Sequence, residues 1–159
     1  MARMHGAHHI RAGIEVLHQT LELRIANKLE EIPAISARFE ELAEATRLPQ
    51  KVVTHVLIAL DEILSNVIKF ASDGDAAHEV AVAFDISAER VEIEIADDGR
   101  PFDPLRDPLE APEKTPRGLP IGGRGLVLVR KLMSEMRYER SGGCNRLTLV
   151  KHVTPPASA

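Results

Sequence analysis

The segment from Gln50 to Ala71 constrains the fold more than any other. Val52, Val53, Val56, Leu57, Ile58, Leu60, Ile63, Leu64, Val67 and Ile68 recur through it at helical spacing. They cover more than one side of the helix they predict, and such a helix sits at the centre of a domain rather than on its surface. Its polar residues are Asp61, Glu62, Ser65, Asn66 and Lys69. Burying a carboxylate and an amide is costly unless both find partners, so this stripe needs an explanation that solvent alone does not supply.

A central helix needs a sheet to cover it, and the flanking segments supply one. Thr20–Ile25 alternates polar and apolar, as do Glu79–Ile86 and Arg90–Ala96. The short Ser87-Ala88-Glu89 link joins the last two as an antiparallel hairpin. Tyr138–Arg140 and Arg146–Val153 form a closing hairpin around Ser141-Gly142-Gly143. Two further helices are predicted. One lies within Lys28–Ala45 and becomes regular near Pro33, where a missing N–H does least harm. The other spans Gly123–Arg137, with Leu126, Val129, Leu132, Met133 and Met136 on one face. Asp73-Gly74-Asp75 ends the central helix. The expected fold is α+β, a two-layer sandwich whose mixed, mainly antiparallel sheet is covered on one face by helices.

One domain is expected over residues 20–153, since 159 residues suit a single core. Residues 1–19 read as a flexible N-terminal extension, in which Ile10, Ile14 and Leu17 give one short amphipathic turn, and 154–159 as a tail. The net charge of −4, with no dominant basic tract, argues against nucleic acid. A lone Cys144 excludes an internal disulfide and fits a reducing compartment. No apolar run is long enough to span a membrane. The N-terminus has Arg3 and Arg11 but no apolar stretch of a secretory signal, so the cytoplasm is the expected location. His5, His8 and His9 lack a carboxylate or Cys to complete a metal set.

Three short segments carry the chemistry. Glu62 and Asn66, four residues apart, project from one face of the central helix. Asn66 offers an oxygen of the kind Mg²⁺ prefers, and Glu62 can accept a proton from an attacking hydroxyl; a plain solvent-facing stripe is the alternative. Asp97-Asp98-Gly99-Arg100-Pro101 follows a strand. Its Asp97 can accept from an adenine amino group, and Gly99 lets the backbone approach a flat base, although Asp-Asp-Gly is also an ordinary turn. Gly122-Gly123-Arg124-Gly125-Leu126 opens a helix, and free N–H groups there suit a phosphate as well as they suit a simple hinge. Residues 97–122, between the last two segments, hold six of the ten prolines and no periodic element, as a lid does.

In that order and context the segments resemble the ATP-binding fold of gyrases and histidine kinases, the GHKL or Bergerat fold. The likeness is greatest to its anti-sigma serine-kinase branch, the RsbW and SpoIIAB type, and covers roughly residues 20–153. The family's N-box matches Leu60-Asp61-Glu62-Ile63-Leu64-Ser65-Asn66. Its adenine-binding turn matches Asp97 and Gly99, with Pro101 at the second glycine of that turn. Its second glycine box matches Gly123-Arg124-Gly125-Leu126, and Gly142–Lys151 looks like its closing strand. The resemblance implies Glu62 as general base and Asn66 as the Mg²⁺ ligand. It implies ATP contacts from Asn66, Lys69, Asp97, Gly99, Gly123, Arg124, Gly125, Leu126 and Thr148, and a lid over 103–122. Lys69 either reaches a phosphate or is a solvated helix-end lysine.

The implied activity is phosphorylation of a serine on a STAS-domain anti-anti-sigma protein, coupled to capture of a sigma factor or other target. A homodimer built near Leu21–Ala45 is expected with it. Two alternatives remain at this point: a non-catalytic ATP-binding module, and a histidine-kinase catalytic domain. The second is disfavoured by the absence of long paired helices before residue 50, and His18 lacks the neighbours of a phosphoacceptor histidine.

Overall fold

The computed structural model describes residues 3–11, 14–71, 78–103, 105, 113–114, 120–121 and 124–153. Among these residues eight strands and three α-helices follow in the order β1 (Arg3–Arg11), β2 (Ile14–Ala26), α1 (Ile32–Ala45, after a 3-10 turn at Leu29–Glu31), α2 (Gln50–Ala71), β3 (Glu79–Ile86), β4 (Arg90–Asp97), β5 (Glu113–Lys114), β6 (Pro120–Ile121), α3 (Arg124–Leu132), β7 (Glu135–Ser141) and β8 (Cys144–His152). Six strands form one sheet in the order β1-β2-β3-β4-β8-β7, and β5 pairs with β6 apart from it. Every described pair is antiparallel. The two-layer α+β architecture is therefore as expected, with an antiparallel sheet where a mixed one was allowed for.

The central helix ends where its apolar pattern ends. Val56, Ala59, Leu60 and Leu64 are wholly buried on it, and strands β3 and β4 meet it with alternate residues Val80, Val82, Phe84, Ile86, Val91, Ile93 and Ile95. Burial of each such side chain contributes about 1.5–3 kcal/mol, which makes this layer the main source of stability. Phe39 of α1 stacks on Phe84 of β3 with centroids 5.5 Å apart, so α1 closes the same core.

Local chemistry sets the ends. Pro33 lies in the first turn of α1. At the other end Leu48 N–H donates to the Ala43 carbonyl at 2.9 Å and Arg47 N–H to Glu44 at 3.1 Å, the two bonds of a Schellman cap. That cap needs a left-handed residue, and Arg47 supplies it at φ 54°. In the β7–β8 hairpin Gly142 and Gly143 both have positive φ, which matches the twist of a two-residue turn.

Three expectations are corrected. Residues 3–11 and 14–26 form an antiparallel hairpin, with Arg3 opposite Glu22 and Arg11 opposite Ile14, where a flexible extension was expected over 1–19. The sheet edge at β2 provides the backbone partners that local composition does not announce. Helix α3 stops at Leu132, not Arg137. Met133 N–H makes the last helical bond, to Val129, and Ser134 N–H then donates to Val150 of β8 at 2.8 Å. Met133 and Met136 fit a helix or a strand equally, and pairing with β8 decides. Finally, β5 and β6 lie within the stretch expected to lack periodic structure. Most of that stretch, with Asp73-Gly74-Asp75, Gly122, Gly123 and the 154–159 tail, lies outside the described residues.

Candidate active site

Of the polar residues of α2, Glu62 faces the start of α3 and Asn66 the end of β4. Glu62 is half-buried. A Cβ built on Gly125 would fall on its carboxylate, 2.5 Å from Cδ. The carboxylate thus lies over the first turn of α3, where backbone N–H groups have no helical partner. One turn along α2, Asn66 lines a cavity with Ile63, Val67, Asp97, Phe102 and Tyr138. Three of the residues read from sequence as chemical, Glu62, Asn66 and Asp97, therefore gather between α2, α3 and the end of β4.

Asp97 is buried, at 7% exposure. Its Oδ1 accepts from Gly99 N–H at 2.9 Å and from Asn145 Nδ2 at 3.0 Å. A buried carboxylate held this way keeps its geometry, because each donor would otherwise be left unpaired. The turn that follows is tethered to the end of α2. Arg100 Nε donates to the Phe70 carbonyl at 2.8 Å, Phe70 stacks on Phe102 at 5.4 Å, and His78 Nδ1 lies 2.8 Å from Asp98 Oδ1. Tyr138 forms part of the cavity wall. Burial, above all, pushes its hydroxyl pKa above 10.0, with Asp103 and Asp97 adding to the rise against Arg140 and a Phe102 backbone hydrogen bond.

The cavity holds about 20 Å³, room for roughly one water. As it stands the cavity is far smaller than a purine. A broader trough of about 380 Å³ lies on the opposite face of the sheet, among Glu22, Asp85, Glu92 and Glu94. None of the motif residues reaches it. Among the described residues no three of His, Cys, Asp and Glu cluster as a metal site.

The remaining expected residues divide. Gly99 is buried beside Asp97. Arg124 is the first residue of α3. Leu126 is buried at 4% exposure, so its side chain packs the core and only its backbone belongs to the helix start. Lys69 is exposed in the last turn of α2. Gly123 lies outside the described residues. Thr148 is a correction: it pairs with Glu94 and Arg137, and strand alternation turns it to the face away from the helices, while Asn145, Leu147 and Leu149 point inward and are buried. Asn145 is the β8 residue that reaches Asp97, and sequence reasoning passed over it. The signal was present in Asn145-Arg146-Leu147-Thr148-Leu149, where the amide falls on the leucine side of the alternation.

An antiparallel sheet covered by helices, with an acid and an amide on the central helix and an aspartate at a strand end, is the architecture of a histidine kinase-like ATPase domain. The model of that family matches residues 25–151, and the chain belongs to it. Its likeness within the family is to the anti-sigma serine-kinase branch. It is 30% identical over 128 residues to the serine-protein kinase RsbW of Bacillus licheniformis, covering 77% of this chain and 79% of that one. It is 29% identical over 118 residues to the serine/threonine-protein kinase BtrW of Bordetella bronchiseptica, covering 73% and 82%. Among solved structures, that of the RsbU and RsbW domains of Rv1364c from Mycobacterium tuberculosis superposes with a TM-score of 0.60 at 17% identity. That match covers 86% of this chain and 33% of the other, and shows the shared fold.

Proposed function

We propose that the protein is an ATP- and Mg²⁺-dependent serine kinase and partner-switching regulator. Its substrate is a serine on a STAS-domain anti-anti-sigma protein; its second partner is a sigma factor or equivalent target, held once the antagonist is phosphorylated. It acts as a homodimer. The observation that carries this reading is the Glu62 carboxylate lying against Gly125 at the start of α3, one helical turn from Asn66 and the Asp97 cavity. The named kinases among its relatives support the same reading.

In this reading Asp97 accepts from the exocyclic amine of adenine, and Gly99 leaves room for the base beside it. The free N–H groups at the start of α3 receive the phosphates. Glu62 accepts the proton of the seryl hydroxyl as its oxygen bonds to the γ-phosphorus and the bond to the bridging oxygen breaks, releasing ADP. The residues fit Mg²⁺: Asn66 would supply one hard oxygen close to the helix start that would receive the phosphates, and this ion takes few protein ligands beside phosphate and water. When bound, the ion offsets phosphate charge during transfer.

The test is phosphotransfer from labelled ATP with Mg²⁺ to STAS proteins of the same genome, with Glu62→Ala alongside. Acid-stable label on a STAS serine, absent with the variant although it still binds ATP, is expected. Transfer retained by Glu62→Ala overturns its role. Acid-labile label on histidine, or ATP binding with no transfer to any STAS protein, overturns the kinase assignment.

A further inference from the structure

Asn145 uses every hydrogen-bonding position it has. Its two Nδ2 hydrogens go to Asp97 Oδ1 at 3.0 Å and to the Arg100 carbonyl at 2.8 Å. Its Oδ1 takes Tyr138 OH at 2.7 Å and Arg140 Nη1 at 2.7 Å. An amide offers two donors and two lone pairs, so nothing remains for a ligand. The four partners also decide which end of the amide is which: only the nitrogen can serve the carboxylate and the carbonyl, and only the oxygen can serve the hydroxyl and the guanidinium. Arg140 Nη1 further donates to the Gly99 carbonyl at 3.0 Å. The β7–β8 hairpin therefore grips the turn 97–100 at Asp97, Gly99 and Arg100.

The consequence falls on Asp97. Gly99 N–H and Asn145 both bond to Oδ1, which leaves Oδ2 as the oxygen free of these two bonds beside the cavity. A carboxylate free to rotate would present either oxygen and lose directional preference; one pinned through Oδ1 presents a single acceptor in a fixed place. We propose that Asn145, locked in turn by Arg140 and Tyr138, is a positioning residue that confers nucleobase selectivity by fixing the Asp97 carboxylate, without itself touching the base. The inference rests on Asp97 reading an exocyclic amine, as argued above.

Affinities of the full chain for ATP and for purine riboside triphosphate, which lacks that amine, separate the two ideas. The wild-type protein is expected to prefer ATP by about tenfold or more, the range of a hydrogen bond to a charged group. Asn145→Ala is expected to shrink that ratio by roughly three- to tenfold while affinity for the amine-free analogue stays the same. Arg140→Ala, at an exposed side chain whose loss spares the core, is expected to shrink it less and in the same direction. This second variant keeps the test decisive if Asn145→Ala does not fold. No preference in the wild type overturns the reading of Asp97. A wild-type preference kept intact in the variants, or equal weakening toward both nucleotides, overturns the positioning role of Asn145 alone.

Discussion

The Glu62 carboxylate occupies the space that a side chain on Gly125 would fill. The acid on the central helix and the glycine at the start of α3 are thus a matched pair: one needs room, and the other provides it by having no Cβ. This explains the glycine at a position whose helix would otherwise favour almost any other residue.

Gly125→Ala tests that pairing. The atom displaced is the end of a flexible side chain, so the fold is expected to survive. The added helix propensity offsets some of the crowding, by up to about 1 kcal/mol. The carboxylate is expected to lose its place, with phosphotransfer falling at least tenfold and the melting temperature moving by only a few degrees. Unchanged transfer would show that the position of Glu62 is immaterial.

Asp97→Asn and Asp97→Ala are expected to part company. An asparagine oxygen can still accept from Gly99 and Asn145, so stability should change by no more than about 1 kcal/mol. In the proposed adenine site its NH₂ would meet the donor of the base, and ATP affinity should fall steeply. The alanine leaves both donors unpaired and is expected to cost roughly 1–3 kcal/mol as well as binding. Urea unfolding and nucleotide titration on both variants check the split.

His55 gives the chain a pH dependence of known sign. Burial, then the positive charges of Lys151 and Lys51, hold its pKa below the ordinary 6.5, and its Nδ1 is enclosed without a partner. Above 6.5 the imidazole is neutral both folded and unfolded and has no effect. As pH falls through 6.5 the unfolded chain takes up the proton first, so stability declines until the lower folded-state value is reached. Unfolding free energies of wild type and His55→Leu between pH 8 and pH 5 should therefore fall with different slopes, the variant losing less. Parallel curves would refute the assignment.

Arg47→Gly is expected to stabilise. A left-handed conformation costs a residue with a Cβ roughly 1–2 kcal/mol, and Arg47 bears it at φ 54° to complete the cap of α1. The extra freedom of glycine in the unfolded chain offsets part of this, leaving a gain of up to about 1 kcal/mol. A chain of this size should melt about 2–4 °C higher for each kcal/mol. A lower melting temperature would mean the arginine side chain contributes something its backbone costs conceal.

What was legible follows from how local the signal is. The central helix, Gln50–Ala71, was readable because its apolar pattern spans six turns and Pro49 marks its start. Strands β3 and β4 were readable from strict alternation and a short link. The N-terminal hairpin was not, because it is held in the sheet by hydrogen bonds from β2 to a strand distant in sequence, with Gln19 opposite Ile86. A motif gives only a neighbourhood on β8, Thr148 among it, while the parity of the strand decides that Asn145 is the side chain that faces inward.

The sequence by itself determined the central helix, the alternating strands, the acid–amide pair at Glu62 and Asn66, and the family these imply, since each rests on spacing within a few turns of chain. Tertiary structure alone decided that Gly125 yields its space to Glu62, and that Asn145 completes its four bonds around Asp97. Those contacts join residues 63 and 48 positions apart. Only the crossing of helices and the register of a sheet, both products of packing the whole core, bring such residues within a hydrogen bond of each other.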